Sequence, residues 1–198
     1  MKQAFFATEE ALTKAEMMTF LGLDYDTVWV GAAAMVPTET NGAEVGSNEY
    51  GTYDVMKDYL AFDTTTEEYA DFNLPMPEDW DRSTVKAKFF WTPGTASGAT
   101  GDTVEWQLQG QAVADDGTID VAFADAGEVV SDAVTAGENA DLHITAATPA
   151  ITITAAALGS MVQFKVSRNV GGTDDHGYDA WLFGVWIQYK KTNTVSAW

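Results

Sequence analysis

Apolar and polar positions fall into three regimes along the chain. The longest is a series of segments with period two. From Thr103 to Ala114, Val104, Trp106 and Leu108 alternate with Glu105, Gln107 and Gln109. Alternate residues of an extended chain point to opposite faces, so this segment predicts a half-buried strand. The same pattern recurs over Glu68–Met76, where Ala70, Phe72, Leu74 and Met76 oppose Tyr69, Asp71 and Asn73. It recurs over Thr84–Trp91, where Val85, Ala87, Phe89 and Trp91 oppose Lys86 and Lys88, and over Met161–Arg168, where Val162, Phe164 and Val166 oppose Gln163, Lys165 and Ser167. Shorter apolar runs at 27–35, 127–135, 142–144 and 151–153 predict further strands, and 53–62 reads as a strand or a helical turn. Pro75 and Pro77 end one strand, because proline cannot donate to a ladder. Thr38–Tyr50, rich in Asn, Gly, Glu and Thr, reads as a long loop.

The second regime lies near the C-terminus, from Asp179 to Tyr189. Strict alternation places Trp181, Phe183, Val185, Ile187 and Tyr189 on one face and Leu182, Gly184 and Trp186 on the other. Both faces are apolar, which predicts a central strand with a core on one side. The second face then needs more protein or a neighbouring subunit, so Leu182 and Trp186 are candidate interface residues.

The third regime is N-terminal. Thr13 and Glu16 match a capping box, Leu12 and Met17 occupy staple positions, and Gly22 is a natural stop. They predict a short helix over about 14–21. Met17 and Phe20 on it either close one end of the core or dock on a neighbour. The expected organisation is an N-terminal helical arm over 1–27 and an all-β domain over 28–198. Many short strands separated by Gly, Pro and Asp turns indicate an antiparallel β-sandwich, and a jelly roll is the most economical arrangement.

Charge narrows the function. Acidic residues number 30 against 10 basic ones, a formal charge of −20. That excludes phosphate-backbone binding, which needs clustered Lys and Arg, and anionic membrane surfaces. It suits a protein kept soluble by its surface, a cation binder, or one that docks on a basic partner. With no cysteine, disulfides, thiol nucleophiles and cysteine-based zinc sites are excluded. No stretch approaches a membrane span, and the N-terminus lacks the pattern of a signal peptide. Synthesis in the host cytoplasm is the expectation.

Candidate chemistry is sparse. Asp174, Asp175 and Asp179, with His176, form the densest ligand-like cluster. Either a calcium ion relieves their repulsion, or they form an acidic turn whose carboxylates accept backbone N–H bonds. His143, between Leu142 and Ile144, is expected on a polar strand face. No serine sits in a nucleophile elbow, no carboxylate pair stands out and no phosphate-binding loop is present, so a non-enzyme is expected, with no cofactor beyond that calcium. Trp80, after a Pro-rich break, and a loop tyrosine, Tyr178, Tyr50 or Tyr53, are the candidate sugar-stacking aromatics.

One set of segments carries a resemblance. It comprises Ala34–Gly42, Leu60–Asp63, Phe72–Pro77 followed by Trp80, and Phe90–Thr92. It continues through Val104–Trp106, Asp115–Asp116, Asp141–His143 with Ala150–Ile153, Phe164–Arg168 and Asp179–Val185. Over about residues 29–189 the chain resembles a β-sandwich domain recurrent in tailed-bacteriophage virion structural proteins. The resemblance implies a virion component, foremost a capsid decoration or head-fibre protein. The alternatives are a tail-fibre or receptor-binding adhesin, or a carbohydrate-binding module. It implies no catalytic residues. The expected partners are copies of the same chain, a trimer being the first choice, other virion proteins and a host surface glycan.

Overall fold

The computed structural model describes residues 13–22, 24–94, 100–123, 126–135 and 141–192. Among them the strands in chain order are β1 (Tyr25–Gly31), β2 (Val36–Pro37), β3 (Glu44–Tyr50), β4 (Val55–Phe62), β5 (Tyr69–Pro75) and β6 (Trp80–Pro93). Then come β7 (Thr103–Val113), β8 (Glu128–Ala133), β9 (His143–Ile144), β10 (Ile151–Thr152), β11 (Met161–Arg168) and β12 (Ala180–Lys191). They form two antiparallel sheets packed face to face. One has seven strands, ordered β10-β6-β12-β4-β3, with β1 also on β12 and β9 also on β6; the other has five, ordered β2-β5-β11-β7-β8.

The core lies between the sheets because each strand sends its apolar half-face inward. Trp106 of β7 is its centre. Its ring meets Phe62 edge-on at 5.3 Å, Phe89 in a stack at 5.7 Å and Trp91 at 6.2 Å. These three belong to the seven-stranded sheet, so one tryptophan ties the layers together. Within the five-stranded sheet Phe72 stacks on Phe164 at 5.0 Å. Trp80 is also buried, at 2% exposure.

β12 is central, with β6 along one side and β1 and β4 sharing the other. Its faces differ from strict alternation. Leu182 pairs with Trp91 and Gly184 with Phe90, so Phe183 is an extra residue, a β-bulge. The bulge resets the phase. Leu182, Val185, Ile187 and Tyr189 all enter the core, while Trp181, Phe183 and Trp186 lie on the outer face. Leu182 is fully buried and is not an interface residue. Periodicity alone cannot see a bulge, because an inserted residue inverts every assignment on one side of it.

Two further expectations are corrected. Half of Thr38–Tyr50 is β3, an edge strand with a polar sequence, held by register with β4 from Glu44↔Ala61 to Tyr50↔Val55. His143 is buried at 6% and its ring lies 4.8 Å from that of Trp91, while Leu142 and Ile144 are the exposed pair.

The helix α1 (Lys14–Phe20) has Thr13 as N-cap. The Thr13 hydroxyl accepts from the Glu16 N–H, and the Glu16 carboxylate accepts from the Thr13 N–H. Its two candidate residues stand out in solvent: Phe20 is 82% exposed and Met17 48%. Met17 and Phe20 therefore do not close the sandwich. Residues 1–12 of the expected arm lie outside the described residues. No helix among the described residues is long and apolar enough to cross a membrane.

Candidate functional site

The outer face of the seven-stranded sheet carries a cluster of aromatic rings. Register places it there. Trp29 of β1 lies directly opposite Trp186 of β12, with Gly31 opposite Gly184 one pleat away. On the other side of β12, Phe90 of β6 pairs with Gly184. Gly184 has a steric role. A Cβ there would lie 2.5 Å from the Trp29 ring, so the missing side chain lets the indole lie down on the strand. Trp29 and Trp186 each meet Phe90 near perpendicular, at 5.0 Å and 4.9 Å. Edge-to-face contacts of this kind fix ring orientation as well as adding stability.

These rings form the floor of a groove of about 750 Å³. Its wall is the hairpin of β3 and β4, through Tyr50, Tyr53, Val55 and Lys57, and Leu142 and Phe183 complete the lining. Trp29 is 48% exposed, Trp186 44% and Tyr53 84%. Lys57 is the one charged side chain lining the groove among the described residues. The floor is rigid because its residues project from hydrogen-bonded strands and not from loops.

The same face continues toward the other end of β12. Two residues on from Lys57 and two back from Phe183, Tyr59 and Trp181 stack at 4.0 Å with their planes 6° apart. Tyr59 reaches that position by crossing the bare backbone of Gly46. Burial, with the Glu44 carboxylate, pushes the Tyr59 phenol above its ordinary range. A smaller hollow of about 330 Å³ lies beside this stack and is lined by Glu44, Thr64, Tyr178 and Asp179. Tyr178 is 47% exposed, so this candidate is at the surface. Trp80 is not: it belongs to the core, and the acids around it signalled a strand entry and not a platform.

The acidic cluster is tied into the fold by hydrogen bonds. Arg168 at the end of β11 is fully buried, and each of its guanidinium N–H groups has an acceptor. Nε donates to Asp174 Oδ2 at 2.8 Å and Nη2 to Asp174 Oδ1 at 2.7 Å. The carbonyls of Phe62, Tyr178 and His176 take the rest, at 3.2, 2.7 and 2.6 Å. Asp174 also accepts from the Glu105 N–H at 3.0 Å, and Asp175 accepts from the Thr103 N–H at 2.6 Å. Asp174 thus has its charge balanced by Arg168, and Asp175 caps the start of β7. Asp179 stands apart; burial, with Asp63 nearby, raises its carboxyl above the ordinary range. The three aspartates do not converge on one point, and no group of three or more metal-ligating side chains occurs among the described residues. Asp174 and Asp175 thus belong to a structural knot that ties the loop before β12 to both sheets.

Glu105 sits in the same knot. Burial raises its carboxyl, but hydrogen bonds from Thr173, Ser131 and Asn169 more than offset this and hold it below the ordinary range. His176 is buried, and burial followed by the Arg168 charge lowers its pKa. Its Nδ1 lies 3.5 Å from Asp102 Oδ2.

Of the loop tyrosines proposed for stacking, Tyr50 and Tyr53 line this groove, whereas Trp29 and Phe90 were absent from the candidates that sequence pattern supplied. Phe90 left a readable sign: it is the apolar residue on the Lys86–Lys88 face of its strand. Trp29 left none, because its role depends on which strand β1 pairs with.

No family model matches the sequence, and no curated protein matches it. Among solved structures, a CBM36 carbohydrate-binding module in complex with calcium and xylotriose is similar at 14% identity and a TM-score of 0.44, covering 81% of this chain and 98% of that one. The CBM36-1 domain of a multidomain xylanase from the hindgut metagenome of Trinervitermes trinervoides is similar at 8% identity and a TM-score of 0.45, covering 82% and 96%. The CBM22-1–GH10 modules of Clostridium thermocellum xylanase 10B are similar at 14% identity and a TM-score of 0.45, covering 82% of this chain and 27% of that one. No residue and no ligand is carried from these structures to this chain.

Proposed function

We propose that this protein is a non-catalytic carbohydrate-binding module whose groove holds sugar rings against Trp29, Trp186 and Tyr53. The observation that carries the reading is the exposed Trp29–Trp186 pair, fixed edge-on to Phe90 on the outer sheet face. A sugar ring has apolar C–H faces and a polar rim. Aromatic side chains offer a matching surface of large area at small cost in conformational freedom. The groove is open, largely apolar and preformed, as ligand sites usually are. Hydrolysis of a glycosidic bond needs a pair of carboxylates flanking it. The described residues that line this groove include no carboxylate, so binding without cleavage is the fitting activity.

The resemblance to virion β-sandwiches supplies a setting. On a phage particle such a module serves as an adhesin, where host surface glycans are met. A glycan array probed with the purified protein, followed by titration of tryptophan fluorescence, tests the binding reading. Hits that disappear in Trp29→Ala and Trp186→Ala support it; an empty array removes it.

A second reading is favoured by the exposed Val55, Leu142 and Ile144 around the same face. In it, the groove is the contact between copies of this chain, as a homo-oligomeric decoration protein requires. Sedimentation of wild type and Trp186→Ala separates the two. A Trp186-dependent oligomer supports assembly, and a monomer that binds glycan supports the adhesin.

A further inference from the structure

The opposite sheet has its own groove, of a different chemistry. On the outer face of the five-stranded sheet, register aligns three polar rows across β5, β11 and β7. Tyr69, Ser167 and Gln107 form one, Asp71, Lys165 and Gln109 the next, and Asn73, Gln163 and Gln111 the third. The rows are spaced by about 6.7 Å along the strands and by about 4.8 Å across them. The segment Ile119–Phe123 forms a wall beside them, and the enclosed groove has a volume of about 680 Å³. Lys165 pins the wall, its Nζ lying 5.0 Å from the centre of the Phe123 ring and 5.4 Å from that of Tyr69.

The fold uses part of this lattice and leaves one cross-strand pair of amides unspent. Gln107 donates to the Ala126 carbonyl and accepts from Ser167, and Gln111 donates to the carbonyls of Ala112 and Thr154. The side chains of Asn73 and Gln163, directly opposite each other, have no hydrogen-bond partner among the described residues. Asp71 Oδ1 is shielded from solvent and accepts no hydrogen bond; the nearest cation, Lys165 Nζ, is 4.0 Å away. Burial raises the Asp71 carboxyl above its ordinary range. The Asp71 side chain as a whole is 44% exposed, so the carboxylate still presents an acceptor to the groove.

We propose that this groove is a second glycan site, reading hydroxyl groups by hydrogen bonds where the aromatic groove stacks rings. The amides of Asn73 and Gln163 each offer both a donor and an acceptor, Asp71 an acceptor and Lys165 a donor. A hydroxyl is likewise both donor and acceptor, so a neutral polyhydroxylated chain matches the set. An anion is opposed by Asp71 and Asp120, and a cation by Lys165. The site stands independently of the aromatic groove, which lies on the other sheet.

The test is an NMR titration of the full chain with short neutral oligosaccharides of glucose, xylose or galactose. The side-chain NH₂ signals of Asn73 and Gln163 are expected to shift with at least one probe, and to shift equally in Trp29→Ala/Trp186→Ala. Asn73→Ala/Gln163→Ala is expected to weaken that binding by about tenfold while leaving the tryptophan fluorescence response intact. Both residues are at the surface, and an unchanged thermal melt verifies the fold. Three results overturn the proposal: no shift with any probe, shifts abolished by the tryptophan variant, or a larger response of Lys165 to inorganic phosphate than to any sugar. Loss of the fluorescence response alone would remove the aromatic site and leave this one standing.

Discussion

Trp29 and Trp186 stand directly opposite each other on neighbouring strands, and Phe90 meets both rings edge-on. Each ring is about half exposed, so either can be removed without opening the core. Trp29→Ala and Trp186→Ala should each weaken glycan binding about tenfold or more, ~1.4 kcal/mol, with little change in melting temperature. Phe90→Ala should weaken binding as well, because both indoles lose their orienting contact. Paired fluorescence titrations and thermal melts check these outcomes.

Arg168 and Asp174 are both nearly inaccessible, with side-chain exposures of 0% and 2%. Removing one partner strands the other charge in the interior. Arg168→Met should therefore destabilise the fold by about 3–5 kcal/mol. Arg168→Lys should also be destabilising, because a single ammonium cannot reproduce the fork that serves Asp174 and the carbonyls together. Arg168→Met/Asp174→Leu should recover part of the loss. Urea denaturation of the four proteins measures the coupling.

His176 sets a pH dependence. Its pKa is lowered in the folded state, so below the unfolded value of 6.5 the unfolded chain takes up a proton that the native state does not. Stability should fall as pH drops below that point, until the folded pKa is reached. Glu105 acts in the same direction at lower pH: its contribution is present above 4.5 and lost as its depressed folded pKa is approached. Asp71, Glu68 and Asp179, with raised pKa values, act in the opposite sense: as pH falls the native state takes up their protons first, and the gain is complete below the unfolded values of 3.8 or 4.5. Urea midpoints measured from pH 7 downward should show the decline starting near 6.5, and His176→Gln should flatten that first limb.

Gly46 is where β3 makes room for Tyr59. An added Cβ would come within 2.6 Å of the Tyr59 ring, and the contact is with side chain and not backbone. Gly46→Ala should leave the strand intact but displace Tyr59 from Trp181, at a cost of about 1 kcal/mol. The Trp181 indole, now 6% exposed, should become accessible to acrylamide quenching.

Much of the sandwich was legible in the chain. The half-faces of β5, β6, β7 and β11 could be read residue by residue, because side-chain direction in a strand is local. What pattern could not supply was adjacency. That β5, β11 and β7 lie side by side, turning three separate polar half-faces into one lattice, is a property of topology. So is the meeting of Trp29 with Trp186, which are far apart in sequence. β3 escaped notice because an edge strand needs little apolar surface. Trp80 was misplaced because flanking acids say more about a turn than about the ring beside them.

The extra residue at Phe183 has an evolutionary meaning. On β12, the positions that meet a ligand and the positions that fill the interior are distinct, so each set can drift by substitution without disturbing the other. The bulge itself carries no core residue: deleting Phe183 would leave a regular ladder, Leu182 still opposite Trp91 and Gly184 opposite Phe90, and would take away only one lining ring of the groove. Lineages descended from this chain should therefore vary freely in ring identity, and even in the presence of the bulge residue, on the outer face of β12 while Leu182, Val185 and Ile187 stay apolar.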